Sequence, residues 1–162
     1  MDQIEKRVVL KAPVDRVWRA ISDAKQFGVW FGVELDGPFV AGKPVTGCIR
    51  PTQVDASVAK GQQQYDGVRL EWHVEAIEPM RRFAFRWHPF GVDKHVDYSH
   101  EPMTLVEFML AEATGGTQLT IRESGFDKIP LERRAKAFAA NDGGWTKQVE
   151  LIEKYLARES AR

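Results

Sequence analysis

The sequence predicts an α+β domain in which a curved antiparallel sheet of about seven strands wraps a long C-terminal helix, with two short helices after the first strand. Three observations predict it. From Leu131 onward, positions 131, 135, 138, 142, 145, 149, 152 and 156 advance by alternating steps of four and three and read Leu, Ala, Phe, Asp, Trp, Val, Ile, Leu. That is one apolar stripe with one residue out of character, and its register survives Gly143 and Gly144, so a single helix is expected. Upstream, short segments alternate apolar and polar residues with the period of half-buried strands. Finally, the faces turned inward by both patterns are rich in aromatics.

Residues 3 to 11 alternate, with Ile4, Val8 and Leu10 on one side and Glu5, Arg7 and Lys11 on the other, which makes strand one. Pro13 suits a helix start, and Val14, Val17, Trp18 and Ile21 repeat at helical spacing. Gly28 and Gly32 then bracket a second short helical turn presenting Trp30 and Phe31. Two short strands are expected between Glu34 and Arg50, interrupted by the turn-rich DGPFVAG. The polar segment 51 to 67 reads as a long loop or an irregular hairpin. Residues 68 to 78 and 82 to 88 read as an antiparallel pair turned at Pro79 and Met80. Ile77 falls out of phase with Leu70, Trp72 and Val74, so a bulge is expected near Glu75. Residues 104 to 112 and 117 to 124 form a hairpin through ATGG.

At 162 residues the chain suits one domain over 1–162. Lys plus Arg equals Asp plus Glu at 23 each, so no global basic field favours nucleic acid or an anionic membrane. A single cysteine, Cys48, excludes an intrachain disulfide and any cluster held by several thiolates. The start MDQIEKR lacks an apolar signal core, and no stretch approaches the roughly 20 apolar residues of a membrane span, so a cytoplasmic protein is expected. No Gly-rich turn joins a strand to a helix, and no cofactor is expected.

HPFGVDKHVDYSHEP, residues 88 to 102, holds His88, His95 and His100 with Asp93, Asp97 and Glu101. Zinc sites fix their ligands on neighbouring elements, whereas these histidines are interrupted by Pro89, Gly91 and Pro102. A solvated loop without metal is expected. Alternation through Leu119 and Ile121 turns Glu123 inward, and the helical stripe does the same for Asp142. Two carboxylates in an apolar pocket could act as acid and base. The plainer alternative pairs Glu123 with an arginine near the rim and leaves Asp142 and Asn141 to backbone at the Gly-Gly step.

The segments APVDRVWRAISDAKQFGVWF (12–31), AIEPMRRFAFRWHP (76–89), TLVEFMLAEATGGTQLTIRESGF (104–126) and NDGGWTKQVELIEKYL (141–156) resemble the START-like, helix-grip superfamily, also called SRPBCC. Within it the chain is similar to the bacterial branch named for the C-terminal domain of the activator of the Hsp90 ATPase (AHSA1-like). The resemblance implies the helix-grip fold and a site for lipids, hormones, aromatic polyketides or other apolar molecules between sheet and helix. It also raises the possibility of an Hsp90-like chaperone partner.

The first reading is therefore a binding protein for a small hydrophobic or aromatic molecule, lined by Trp30, Phe31, Trp72, Phe85, Trp87, Phe108, Ile121, Phe138, Trp145 and Val149. The second is an interaction module for an Hsp90-like partner. The third is a metal-independent enzyme using Glu123 or Asp142.

Overall fold

The computed structural model describes residues 3–160. Its elements are β1 (Gln3–Leu10), α1 (Val14–Ser22), α2 (Ala24–Phe31), β2 (Val33–Leu35), β3 (Pro44–Ile49), α3 (Ala56–Gln62), β4 (Arg69–Glu78), β5 (Arg82–Trp87), β6 (Thr104–Ala113), β7 (Gly116–Ser124) and α4 (Leu131–Ser160). All strands pair antiparallel in one seven-stranded sheet ordered β1-β7-β6-β5-β4-β3-β2. The long α4, about 45 Å at 1.5 Å per residue, lies along β1 and α2.

Strand alternation places Trp72 and Val74 of β4, Phe83 and Phe85 of β5, Phe108 and Leu110 of β6, and Leu119, Ile121 and Glu123 of β7 on the buried face. The expected bulge is present, as a register shift between Val74 and Ala76. It restores Ile77 to the partly buried side packed against the core. Two glycines are required by geometry. Gly32 ends α2 with φ 98°, and a Cβ on Gly116 would sit 1.9 Å from the carbonyl oxygen of Leu10.

Two expectations fail. The segment 51–67 contains α3 rather than a loop or hairpin, and none of the α3 residues is buried, so no apolar stripe announced it. Polar groups hold it: Asp55 caps Val58 N–H at 3.0 Å and pairs with Lys154, while Gln62 accepts from Thr52 N–H at 2.7 Å and donates to Phe31 O.

The second failure is the inward stripe of α4. Leu131 is 76% exposed and Ala135 is exposed, whereas Ala137, Trp145, Leu151, Ile152, Tyr155 and Leu156 are buried. A strict seven-residue repeat drifts about 20° per heptad against a straight helix, so a line anchored at Trp145 and Ile152 has rotated outward by Leu131. Asn141 consequently faces inward, and Asp142 turns to Lys6 of β1 at 2.8 Å with its side chain half-exposed. The helix runs unbroken through Gly143 and Gly144, and a Cβ at either position would meet nothing within 4 Å.

Candidate functional site

The space between sheet and helix is filled largely by the chain's own aromatics. Trp30, Trp72, Phe83, Phe85, Phe108 and Ile121 are fully buried, and the aromatics among them pack ring against ring, Trp72 on Phe85 at 6.3 Å and Phe83 on Phe108 at 6.1 Å. Trp30 donates its indole N–H to Ala20 O at 2.8 Å and is core. Phe138 is half-buried, edge-on to Phe126 at 5.1 Å, and Val149 packs on the core margin. None of these residues borders either of the two cavities described below. These side chains fill the interior between sheet and helix, and the openings lie at its margin.

At that margin sits a buried carboxylate. Glu123, fully buried on β7, accepts hydrogen bonds from four side chains. Trp87 Nε1 reaches Oε2 at 2.8 Å, Thr104 Oγ1 reaches Oε2 at 2.5 Å, Trp145 Nε1 reaches Oε1 at 2.8 Å, and Asn141 Nδ2 reaches both oxygens at 2.9 and 3.2 Å. The donors come from β5, β6 and α4, so the network ties the middle of the sheet to the middle of the helix. Burial pushes the Glu123 carboxyl above its ordinary range, and the four donors pull the other way without cancelling it. Among the described residues no ion pair involves Glu123, so the expected arginine near the rim is replaced by neutral donors.

Directly beside this network is a cavity of about 70 Å³, lined by Phe31, Trp87, Asn141, Gly144, Trp145 and Gln148. Three of its six lining residues are the same ones that hold Glu123. Phe31 lies 6.1 Å from Trp87 and 6.0 Å from Trp145, and the two indoles stack at 5.8 Å and 29°. Gln148 donates to Phe31 O at 3.0 Å, but its buried Oε1 has no partner among the described residues. Gly144 contributes no side chain, which keeps the cavity open at α4. Of the residues expected from sequence, the cavity brings together Phe31, Trp87 and Trp145. Gln148 and Gly144 were missed because the repeat drawn from Leu131 passes to one side of them.

A second cleft, of about 220 Å³, lies where β4 starts and β5 ends. It is lined by Thr46, Arg69, Leu70, Glu71, Trp87, His88, Gly91, Tyr98 and Ser99. Trp87 thus borders both spaces. The loop 88–102 forms one wall, and Arg133 of α4 anchors it. Arg133 donates to Glu101 at 2.8 Å and to Pro89 O at 2.8 Å, and its guanidinium covers the Tyr98 ring at 4.9 Å. His88 stacks on Tyr98, and burial lowers its pKa. Among the described residues, no three His, Cys, Asp or Glu side chains converge to hold a metal ion. No helix among the described residues is long and apolar enough to cross a membrane.

The family described as Activator of Hsp90 ATPase homolog 1-like protein matches residues 11–157. DynU16, a protein of the dynemicin biosynthetic locus, is 26% identical with TM-score 0.69, over 97% of this chain and 48% of that one. The chain therefore spans about half the length of DynU16. Protein MLL2253 from Mesorhizobium loti is 21% identical with TM-score 0.70, over 96% of this chain and 97% of that one. The Aha1 dimer from Colwellia psychrerythraea is 14% identical with TM-score 0.65, over 94% of each chain. No curated protein matches in sequence.

Proposed function

Because the chain belongs to the Activator of Hsp90 ATPase homolog 1-like family, a helix-grip fold, we propose that it binds a small apolar or aromatic molecule at the cavity walled by Phe31, Trp87 and Trp145. One observation carries this reading: three residues of that wall are locked in place by a single buried carboxylate, Glu123. A hydrogen-bonded support behind aromatic faces fixes the shape a guest meets, and apolar area removed from water at about 25 cal/mol per Å² supplies the drive. DynU16, similar over nearly all of this chain, is a protein of a biosynthetic locus, which agrees with a small-molecule role. Catalysis is less well supported. Both oxygens of Glu123 are already engaged by donors, and Asp142 faces Lys6 on the outside.

The test is a thermal-shift series with small aromatic and apolar probes such as indole, benzyl alcohol and short fatty acids. A probe at a hundredfold its Kd adds about 2.7 kcal/mol, enough to raise the melting temperature by several degrees. Gly144→Leu places a side chain into the cavity from the helix side and removes the shift. A flat response across the panel, or a shift that survives Gly144→Leu, would overturn the reading.

Family membership favours one alternative, an outer surface that docks on an Hsp90-type ATPase. It predicts a stimulated ATPase rate on adding this chain to such an enzyme. An unchanged rate would dismiss it.

A further inference from the structure

The cavity at Trp87 and Trp145 has an electrostatic character that its apolar walls conceal. Its six lining residues include no Lys, Arg or His, and immediately behind them lies Glu123, an acid with no ion-pair partner among the described residues. Every side chain that hydrogen-bonds to Glu123, and each residue paired opposite it on the neighbouring strands, is neutral. These are Trp87 from β5, Thr104 and the strand neighbour Val106 from β6, Ile4 from β1, and Asn141 and Trp145 from α4. When ionised, this carboxylate is a buried negative charge to which no described residue supplies a counter-charge.

Two further features point the same way. Both indoles donate their N–H to the carboxylate, which pushes electron density toward the ring faces, and indole faces are the best aromatic surfaces for a cation. Gln148 Oε1, buried at the same cavity and unpartnered among the described residues, is an acceptor awaiting a donor. A protonated amine answers all three: positive charge beside an anion, a cation against aromatic faces, and an N–H for the free amide oxygen.

We propose that this cavity takes the ammonium end of an amine, with the apolar or aromatic remainder of the guest directed to the opening beside Gly144. The inference rests on the binding reading above and names the chemistry of the guest. At about 70 Å³ the cavity suits a small head group rather than a whole ligand, which is why the rest of the guest would emerge at the opening.

The experiment measures binding by calorimetry to the full chain with four probes of similar size: benzylamine, benzyl alcohol, ethylbenzene and benzoate. Benzyl alcohol can also donate to Gln148, so only charge distinguishes it from benzylamine. The expected order is benzylamine tightest, by tenfold or more over benzyl alcohol, with ethylbenzene weaker and benzoate undetectable. In the unmodified chain that preference widens as pH rises through the folded pKa of Glu123, which burial holds above 4.5, because the carboxyl ionises there while the amine stays protonated. Glu123→Gln, checked for folding by near-UV circular dichroism, loses the preference for benzylamine over benzyl alcohol. If benzyl alcohol or ethylbenzene binds as tightly as benzylamine, the ammonium assignment fails while the binding reading stands. If no probe binds, both fail. A preference that does not change with pH would also overturn the assignment, and this outcome needs no variant.

Discussion

Trp145 donates its indole N–H to Oε1 of Glu123 at 2.8 Å, joining the midpoint of α4 to the buried face of β7. Trp87 makes the matching bond to Oε2 from β5, so one carboxylate clamps two rings that themselves stack at 5.8 Å. Sheet, helix and cavity wall are therefore coupled through a single side chain.

Replacing either indole tests that coupling. Trp145→Phe keeps a ring in place and removes one donor to a carboxylate, which costs about 1.5–3 kcal/mol in urea denaturation. Trp87→Phe should cost a similar amount. The double variant should depart from the sum of the two, because both donors serve the same acid. Strict additivity would mean that the two bonds act independently.

The buried acid also sets a pH dependence. The folded state raises the pKa of Glu123 above its ordinary 4.5, so the folded state holds the proton more tightly than the unfolded chain does. Its contribution is fully present below pH 4.5 and is lost as pH rises through the folded value. Carboxylates with lowered pKa, Glu5, Asp36, Asp55 and Asp97, act in the opposite sense and at lower pH. The difference between the natural chain and Glu123→Gln isolates the effect. That difference should shrink as pH climbs from 4.5 toward neutral, measured as the urea midpoint. A difference that grows with pH would show the four donors outweighing burial.

Gly143 offers a stabilising change. A Cβ there meets nothing within 4 Å and the backbone is already helical, so Gly143→Ala should raise stability by about 0.5–1 kcal/mol. Gly144→Ala has the same propensity gain, but it narrows the cavity that Gly144 borders. Equal gains in stability with a loss of probe binding only at 144 would separate the two glycines.

Arg133 is the link between the loop 88–102 and α4. Arg133→Ala removes its bonds to Glu101 and to Pro89 O and the cover over Tyr98. Hydrogen exchange should speed up through that loop, while the amides of β6 and β7 keep their protection. An unchanged loop would mean that His88 and Tyr98 suffice to hold it.

Periodicity alone determined the strands, the bulge at Val74 and Ala76, the inward direction of Glu123, and a long closing helix, because period two and period near 3.6 are properties of the local chain. Turn chemistry located the β6-β7 hairpin for the same reason. The site was less legible. A seven-residue repeat drifts around a straight helix, so sequence pointed Asp142 inward where packing selects Asn141 and Gln148. Helix α3, held by Asp55 and Gln62 rather than by buried apolar residues, left no pattern to read. Whether the aromatic interior is hollow, and which neutral donors surround Glu123, depends on how side chains from β5, β6, β7 and α4 fill a common volume. Those contacts join residues far apart in the chain, and their steric fit exists only once the sheet has closed on the helix.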